Sequence, residues 1–323
     1  MLRSLLLPVA LLLLSCVSRP GALRWSVAEA MDEGEPGDHG FLNLPLPTLG
    51  GLQFWADVHW QGGWRIQENV VTGHHRLLDP RNVRRAWGSY AACRRCFEER
   101  WKPAAAPPSS AHLVVVLHGL GRSRSPFGPM VRALREAGFE AVAVGYPSMR
   151  ASVDEHAERL NRLLDGLEGF ETVSFVTHSL GGLVARAALA REAGWRQRLE
   201  LGRLVMIAPP SRGSSMAARV AVLPPVNWVL GPSFRGVTPN GAAALPEPAC
   251  PFGIVVGGRG DDSGYNPLIP GDDDGLVGVE ESRLAGAQDF LQVRGVHTFL
   301  MRKPEVIAAA IRFLESGCFA RSL

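Results

Sequence analysis

The sequence predicts an α/β protein with a mostly parallel central sheet, helices on both faces of that sheet, and a Trp-rich N-terminal extension. From Leu113 onward, short apolar runs alternate with amphipathic helical segments, which is the pattern of parallel strands joined by crossover helices. Between Leu52 and Val70 the apolar residues alternate with a period of two instead, and six of the eight Trp residues lie at or before position 101.

The length of the chain is consistent with a large globular domain, and its charge pattern argues against nucleic-acid binding. The chain has 323 residues, enough to bury a full core without relying on disulfides or metals. Its formal net charge is +3, and basic and acidic residues are interspersed. Phosphate recognition requires clustered positive charge, so a nucleic-acid partner is not expected. The sequence leaves the oligomeric state open.

The N-terminus has the features of an export signal. Arg3 precedes an apolar run from Leu5 to Leu14, which is shorter than the roughly 20 residues that span a bilayer. A short basic region followed by a short apolar core is typical of a secretory signal, so residues 1–15 are predicted to be a signal peptide.

The end of this run, Leu-Leu-Ser before Cys16, resembles the bacterial lipobox, in which cleavage precedes the cysteine that receives a lipid. The resemblance implies an exported lipoprotein of the bacterial cell envelope, anchored to the membrane through lipidated Cys16. Ordinary signal-peptide cleavage, giving a periplasmic or secreted protein, is the alternative.

The remaining cysteines suit an oxidising compartment. We expect disulfides between Cys93 and Cys96 and between Cys250 and Cys318, the first because of its short loop. Unpaired thiols are the alternative. The Cys93-x-x-Cys96 spacing could also belong to a zinc site or a redox motif, but we predict neither, and no metal is expected.

The N-terminal extension divides into three parts. Residues 16–47, rich in Pro, Gly and acidic residues from position 20 onward, are predicted to be a tether or an irregular segment. Residues 48–110 are predicted to form a β-hairpin around Gly62-Gly63, a helix from Asp79-Pro80 to about Trp101, and a linker. We expect the Trp residues to pack this extension onto the main domain; an aromatic-ligand or lipid-contact surface is the alternative.

Residues 111–318 are predicted to form the main domain. A Ser152–Glu155 capping box starts one helix, and residues 180–193 and 304–314 form two others. Residues 211–245 interrupt the alternation and are predicted to form a lid or a buried cap. The predicted strands cover residues 113–117, 141–144, 173–176, 204–207, 254–256 and 290–293. Ligands of such sheets bind at the carboxyl ends of the strands.

Three segments at those strand ends carry candidate chemistry. The first is Thr177-His178-Ser179-Leu180-Gly181, between a strand and a helix. It resembles the nucleophile elbow of the α/β-hydrolase family, which holds a serine on a tight strand-to-helix turn. In this sequence Thr177 replaces the first glycine of the family pattern, while Gly181 matches the second.

The second segment, His118-Gly119-Leu120-Gly121, follows the first strand of the main domain and resembles the oxyanion loop of lipases and esterases. This resemblance implies that the backbone N–H groups of Leu120 and Leu180 form an oxyanion hole, supported by His118, Gly119, Gly121, His178 and Gly181.

The third segment supplies a base and an acid. His297 follows the last strand, and Asp274 lies in an Asp-Gly-Leu-Val run before it, matching the family order of Ser, Asp and His. Competing acids are Asp272 and Asp273, with Asp261, Asp262 and Glu280 as more distant candidates. Calcium binding by the acidic cluster is a weaker alternative, since no EF-hand spacing is present.

Together these segments resemble the α/β-hydrolase superfamily, lipase/esterase-like, over about residues 111–316. The resemblance implies the α/β-hydrolase fold and a serine hydrolase that cleaves acyl esters or lipids through Ser179, His297 and Asp274 without a cofactor. A thioesterase or acyltransferase with the same residues, and a catalytically silent envelope binding protein, are the alternatives.

Overall fold

The computed structural model describes residues 53–102, 110–222 and 229–320, which form two sheets. The predicted signal peptide, the tether, Cys16 and most of the linker lie outside the described residues. The extension forms an antiparallel sheet of four strands in the order β1-β2-β3-β4. These strands are β1 (Trp55–Gln61), β2 (Trp64–Asn69), β3 (His75–Leu78) and β4 (Arg84–Gly88), followed by helix α1 (Tyr90–Arg100).

The expected hairpin is present as β1 and β2, but the helix predicted to begin at Asp79 is wrong. Asp79 instead closes a turn, because its Oδ1 accepts hydrogen bonds from the backbone N–H groups of Arg81 and Val83, both at 2.9 Å. Strand β4 follows that turn. The helix begins only after Ser89, whose side chain accepts the Ala92 N–H.

The main domain contains a parallel sheet of six strands in the order β10-β9-β8-β7-β5-β6, as the sequence predicted. Its inner strands are apolar on both faces, as expected for a sheet that helices cover on both sides. The strands are β5 (His112–Leu117), β6 (Glu140–Val144), β7 (Thr172–His178), β8 (Glu200–Ile207), β9 (Phe252–Gly258) and β10 (Asp289–Arg294).

Helices α3 and α4 pack on one face of this sheet, and α2 and α8 on the other. The helices are α2 (Gly128–Glu136), α3 (Val153–Asp165), α4 (Leu180–Leu189), α5 (Ser215–Ala221), α6 (Pro239–Ala243), α7 (Val279–Ser282) and α8 (Pro304–Ser316). The predicted Ser152–Glu155 capping box starts α3. Within the described residues, no helix has the length and hydropathy needed to cross a membrane.

The structure contradicts both predicted disulfides, since Cys93, Cys96, Cys250 and Cys318 are all free thiols. Cys93 and Cys96 are three residues apart on α1, where Cβ atoms are separated by about 5–6 Å, beyond the 3.5–4.5 Å that a disulfide requires. Cys250 packs against the core on one face of the parallel sheet, whereas Phe319, next to Cys318, packs on the other face.

The extension is joined to the main domain through Asp57 on β1. Its backbone N–H donates to the Gly145 carbonyl at 2.8 Å, and its carboxylate accepts the Gly145 N–H at 2.7 Å. The same carboxylate pairs with Arg65 at 2.7 Å and accepts a hydrogen bond from Gln67. Burial opposes ionisation, but Arg65, Arg124 and these donors outweigh it and lower the pKa of Asp57.

Aromatic packing reinforces this joint. Trp60 is buried in the core of the main domain and stacks on Phe170 with ring centroids 6.2 Å apart. Trp64 and Trp101 instead pack around Phe97 in a smaller cluster within the extension. The sheet of the extension is therefore packed onto the main domain.

We predict that Asp57→Ala lowers the free energy of unfolding by about 3–5 kcal/mol, because it leaves the mostly buried Arg65 without its partner. The pKa of Asp57 is lowered in the folded state, so this contribution is present above about pH 4 and is lost as the pH falls through the folded pKa. Urea unfolding at neutral and acidic pH measures both effects.

Asp154→Ala is the matched control, because Asp154 pairs with Arg191 on the exposed surface and its loss should cost less than about 1 kcal/mol. Equal unfolding of the Asp57 variant and the parent protein would contradict the structural role of this carboxylate.

Candidate active site

Ser179 occupies a strained turn between β7 and α4. Its φ is +55° and its ψ is −124°, a conformation that non-glycine residues rarely adopt. Its backbone N–H donates to the Ile207 carbonyl on β8 at 2.9 Å, and its carbonyl accepts the Gly182 N–H at 3.0 Å. These bonds hold the side chain at the carboxyl edge of the sheet, where it lines a cavity.

Two glycines allow the backbone to approach closely around this serine. A Cβ atom at position 181 would lie 2.8 Å from the Leu117 carbonyl oxygen and 2.9 Å from the His118 carbonyl oxygen. A Cβ atom at Gly119 would lie 3.1 Å from the Ser179 Cβ. Glycine at both positions therefore lets α4 and the loop after β5 meet at the serine.

Thr177 is accommodated where the family pattern has its first glycine. The side chain is buried, and its hydroxyl donates to the Val205 carbonyl on the neighbouring strand at 3.2 Å. A hydroxyl that finds a backbone acceptor in this way avoids the cost of an unsatisfied buried polar group.

The loop after β5 is held by its own hydrogen bonds. The Gly121 N–H donates to the Ser148 hydroxyl at 3.0 Å, and the Tyr146 hydroxyl donates to the His118 carbonyl. Tyr146 also stacks on the His118 ring at 4.1 Å. Burial lowers the pKa of His118 to about 4, so this ring is neutral at physiological pH and acts as a packing and hydrogen-bonding element.

Two backbone N–H groups near Ser179 are candidates for binding an oxygen atom, one in a residue that lines the cavity and one in the residue that follows the serine. They belong to Leu120 and to Leu180, the first residue of α4, and neither has a hydrogen-bond acceptor among the described residues. The first N–H groups of a helix are unpaired within the helix and carry its positive dipole end. This region therefore favours a negatively charged oxygen near Ser179.

His297 and Asp274 form a direct pair at the other side of the cavity. His297 Nδ1 lies 2.7 Å from Asp274 Oδ2, and the His297 backbone N–H donates to the Asp274 carbonyl at 2.8 Å. Both side chains are buried. Asp274 Oδ1 accepts the N–H groups of Leu276 and Val277, so the second carboxylate oxygen is oriented toward the histidine.

The three consecutive aspartates have different partners. Asp272 accepts the backbone N–H groups of Arg259 and Gly260, and buried Asp273 accepts those of Asn266 and Gly275. Burial raises the pKa of Asp273. Of the three, only Asp274 bonds to His297. Within the described residues, no group of three His, Cys, Asp or Glu side chains is arranged to hold a metal ion.

His178 connects the turn that carries Ser179 to the loop that carries His297. Its Nε2 lies 3.0 Å from the His297 carbonyl oxygen, and the two rings are 4.8 Å apart. Burial, and secondarily the neighbouring His297, hold the pKa of His178 well below its ordinary value. The ring is therefore neutral and donates its Nε2–H to the His297 backbone.

Apolar side chains from the segment predicted as a lid form much of the cavity wall. Ser179, His178, His297 and Leu120 line the cavity together with this wall. The wall residues from the segment are Met216, Ala217, Val220, Leu230, Phe234 and Val237. Most of them are buried and join the core of the main domain, and residues 223–228 lie outside the described residues.

Two contacts at this site were missed by sequence reasoning. Arg122 Nη2 donates to the Thr298 hydroxyl at 2.8 Å, which links the loop after β5 to the residue that follows His297. Ser148 follows β6 at the same edge of the sheet, and its position as a polar residue after a predicted strand could have identified it. Arg122 carried no comparable signal, because its partner is 176 residues away.

We predict that Gly181→Ala lowers the free energy of unfolding by about 1–3 kcal/mol, because the new methyl group meets backbone oxygens that side-chain movement cannot clear. Gly128→Ala is the control, since a Cβ at that helical position meets only the flexible end of Arg132 at 3.7 Å. Urea unfolding compares the two variants. A Gly181→Ala variant as stable as the control would show that the two segments are not in contact.

Comparisons with known proteins agree with this architecture. The sequence matches the Alpha/beta hydrolase family over residues 114–310, which is more than half of the chain. A comparison with curated proteins gave no match.

Several solved structures are similar to this chain at low identity. The Bacillus licheniformis lipase in its propeptide form is 17% identical with a TM-score of 0.50, over 62% of this chain and 49% of that chain. Its mature form is 17% identical with a TM-score of 0.48, over 62% and 90% of the two chains. A metagenomic carboxyl esterase is 18% identical with a TM-score of 0.46, over 61% and 68%. With the family match and the six-stranded parallel sheet together, this chain belongs to the α/β-hydrolase family.

Proposed function

We propose that this protein is a serine hydrolase that cleaves carboxylic esters of acyl chains, with Ser179 as nucleophile, His297 as base and Asp274 as the acid that orients the base. The observation that carries the proposal is the 2.7 Å bond between His297 and Asp274 beside a cavity that Ser179 also lines. A serine is a weak nucleophile until an adjacent base removes its proton.

Acylation begins with the proton of the Ser179 hydroxyl. Because Asp274 accepts the Nδ1–H of His297, the Nε2 atom of that ring is left with its lone pair as the base. His297 Nε2 takes the proton as Ser179 Oγ attacks the ester carbonyl. The resulting imidazolium is stabilised by the Asp274 carboxylate.

The N–H groups of Leu120 and Leu180 stabilise the oxyanion of the tetrahedral intermediate. Their position at the start of α4 and in the loop after β5 adds the positive end of the helix dipole to two hydrogen bonds. The intermediate then expels the alcohol, which receives its proton from His297. Water activated by His297 releases the acid from the acyl-enzyme and restores Ser179.

The walls of the cavity favour an apolar acyl chain. Residues such as Met216, Val220 and Phe234 offer no polar group to a substrate, so an acyl chain buried there gains about 25 cal/mol per Å² of apolar surface. The neutral state of His178 also leaves no permanent cation against the His297 ring.

The N-terminal sequence leads to a proposal for where in the cell the protein acts. The apolar run before Cys16 supports export to the bacterial cell envelope, with a lipid on Cys16 as the membrane anchor. Mass measurement of the N-terminal peptide from the native host tests this part, since an acylated Cys16 and an unmodified cleaved terminus differ in mass.

Labelling by a fluorophosphonate probe tests the nucleophile without a choice of substrate, because the probe reacts with activated serines. We expect the parent protein to be labelled and Ser179→Ala to remain unlabelled while unfolding at the same urea concentration. Labelling of the alanine variant would contradict the assignment. A series of matched esters and thioesters, with and without an acceptor alcohol, then separates hydrolysis from acyl transfer.

Neighbouring aspartates provide a matched test of the acid. We predict that Asp274→Asn lowers kcat/KM for a short ester by about 10⁴-fold, because an amide favours the wrong tautomer of His297. Asp272→Asn is the control, because it removes the same charge two residues away. The Asp272 carboxylate contacts loop N–H groups and Gln292, so this variant should change kcat/KM less than about tenfold. Equal losses in the two variants would rule out a specific role for Asp274.

A further inference from the structure

Exposed hydrophobic side chains are distributed unevenly over the surface. Among the described residues, eight large hydrophobic side chains are exposed. Three of them, Val71, Trp87 and Tyr90, lie in the extension, and the other five lie in the segment predicted as a lid or in loops at the carboxyl edge of the parallel sheet. Exposed apolar residues that gather on one side of a molecule mark a contact surface.

The three residues of the extension lie at one end of its sheet. Val71 is in the turn between β2 and β3, Trp87 is near the end of β4, and Tyr90 begins α1. Strand register brings these positions together, since His75 pairs with both Glu68 and Gly88. Exposed His74 stacks on Trp87 with ring centroids 5.5 Å apart. We call Val71, His74, Trp87 and Tyr90 the tip surface.

The tip surface lies on the same side of the molecule as the candidate active site. Just before β1, Gln53 donates to the Arg122 carbonyl at 3.3 Å and accepts the Met149 N–H at 3.0 Å, at the carboxyl edge of the parallel sheet. At the other end of β1, Gln61 donates to the Glu168 carbonyl, before β7 begins. Strand β1 therefore runs away from the active-site edge, and its first residues border the tip surface.

Positive charge accompanies these aromatic rings. The Arg84 guanidinium lies 5.4 Å from the centre of the Trp87 ring, and that of Arg76 lies 4.0 Å from the centre of the Trp55 ring. Trp55 in turn contacts Trp87 edge to face at 5.6 Å. Residues 53–102 contain nine basic and five acidic residues, so the extension is more basic than the chain as a whole.

We propose that the tip surface binds an anionic phospholipid surface and holds the mouth of the active-site cavity against it. Trp and Tyr side chains concentrate at the boundary between lipid headgroups and acyl chains. Arginines near such a surface are attracted to anionic lipids. This membrane contact is separate from the proposed ester hydrolysis and does not depend on it.

Vesicle sedimentation tests the contact. The full chain carries Cys16→Ser, so that no lipid anchor contributes, and Ser179→Ala, so that the vesicles stay intact whether or not the protein is a hydrolase. Vesicles of phosphatidylcholine alone are compared with vesicles of equal parts phosphatidylcholine and phosphatidylglycerol. We expect binding to both compositions, and tighter binding to the anionic one.

Four substitutions in this background locate the binding surface. Trp87→Ala should weaken binding to both compositions severalfold, whereas Trp87→Phe retains most of it because an aromatic ring remains. Arg84→Gln should weaken binding to the anionic vesicles about fivefold and leave binding to phosphatidylcholine unchanged. Arg132→Gln, on the exposed face of α2, is the control and should bind as the parent does.

Several outcomes would overturn the proposal. These are absence of vesicle binding by the parent, equal binding to the two compositions, or parental binding by both Trp87→Ala and Arg84→Gln. The first would leave a protein partner, or a chain segment outside the described residues, as the occupant of the tip surface. Fluorophosphonate labelling of the same chain with Ser179 restored tests the proposed hydrolase activity separately from vesicle binding.

Discussion

The candidate active site depends on the close approach of helix α4 to the end of strand β5. Gly181 makes this approach possible, because any side chain there would meet the carbonyl oxygens of Leu117 and His118. With the two backbones in contact, Ser179 is held at a positive φ between strand and helix. Leu120, in the loop after β5, lines the same cavity as Ser179.

The opposite half of the site is built from loops that follow β9 and β10, far away in sequence. Backbone hydrogen bonds orient one oxygen of Asp274, which leaves the other for His297. Arg122 then ties the loop after β5 to Thr298. This hydrogen bond joins the two halves of the site, and the strands of the parallel sheet position the loops that carry them.

The extension is part of this architecture and is not a loosely tethered module. Asp57 is buried between Arg65, Arg124 and the Gly145 N–H, and Gln53 bonds to two loops at the active-site edge. Because the extension packs against the loops after β5 and β6, it is well placed to influence access to the cavity. Its exposed aromatic residues Trp87 and Tyr90 lie at the end of its sheet that is nearer to this edge.

The sequence by itself determined the class of the fold and predicted Ser179, His297 and an aspartate of the run 272–274 as the residues of the candidate site. Apolar periodicity located the six parallel strands, and the Ser152–Glu155 capping box located the start of α3, because these signals come from residues within a few positions of one another. The local sequence was misleading at Asp79, which was predicted to begin a helix but closes a turn instead. Only the tertiary structure decided that Asp274 rather than Asp272 or Asp273 bonds to His297, and that Cys250 and Cys318 are free thiols. Those outcomes depend on which loops and core faces come together when the sheet forms, and no local pattern encodes that packing.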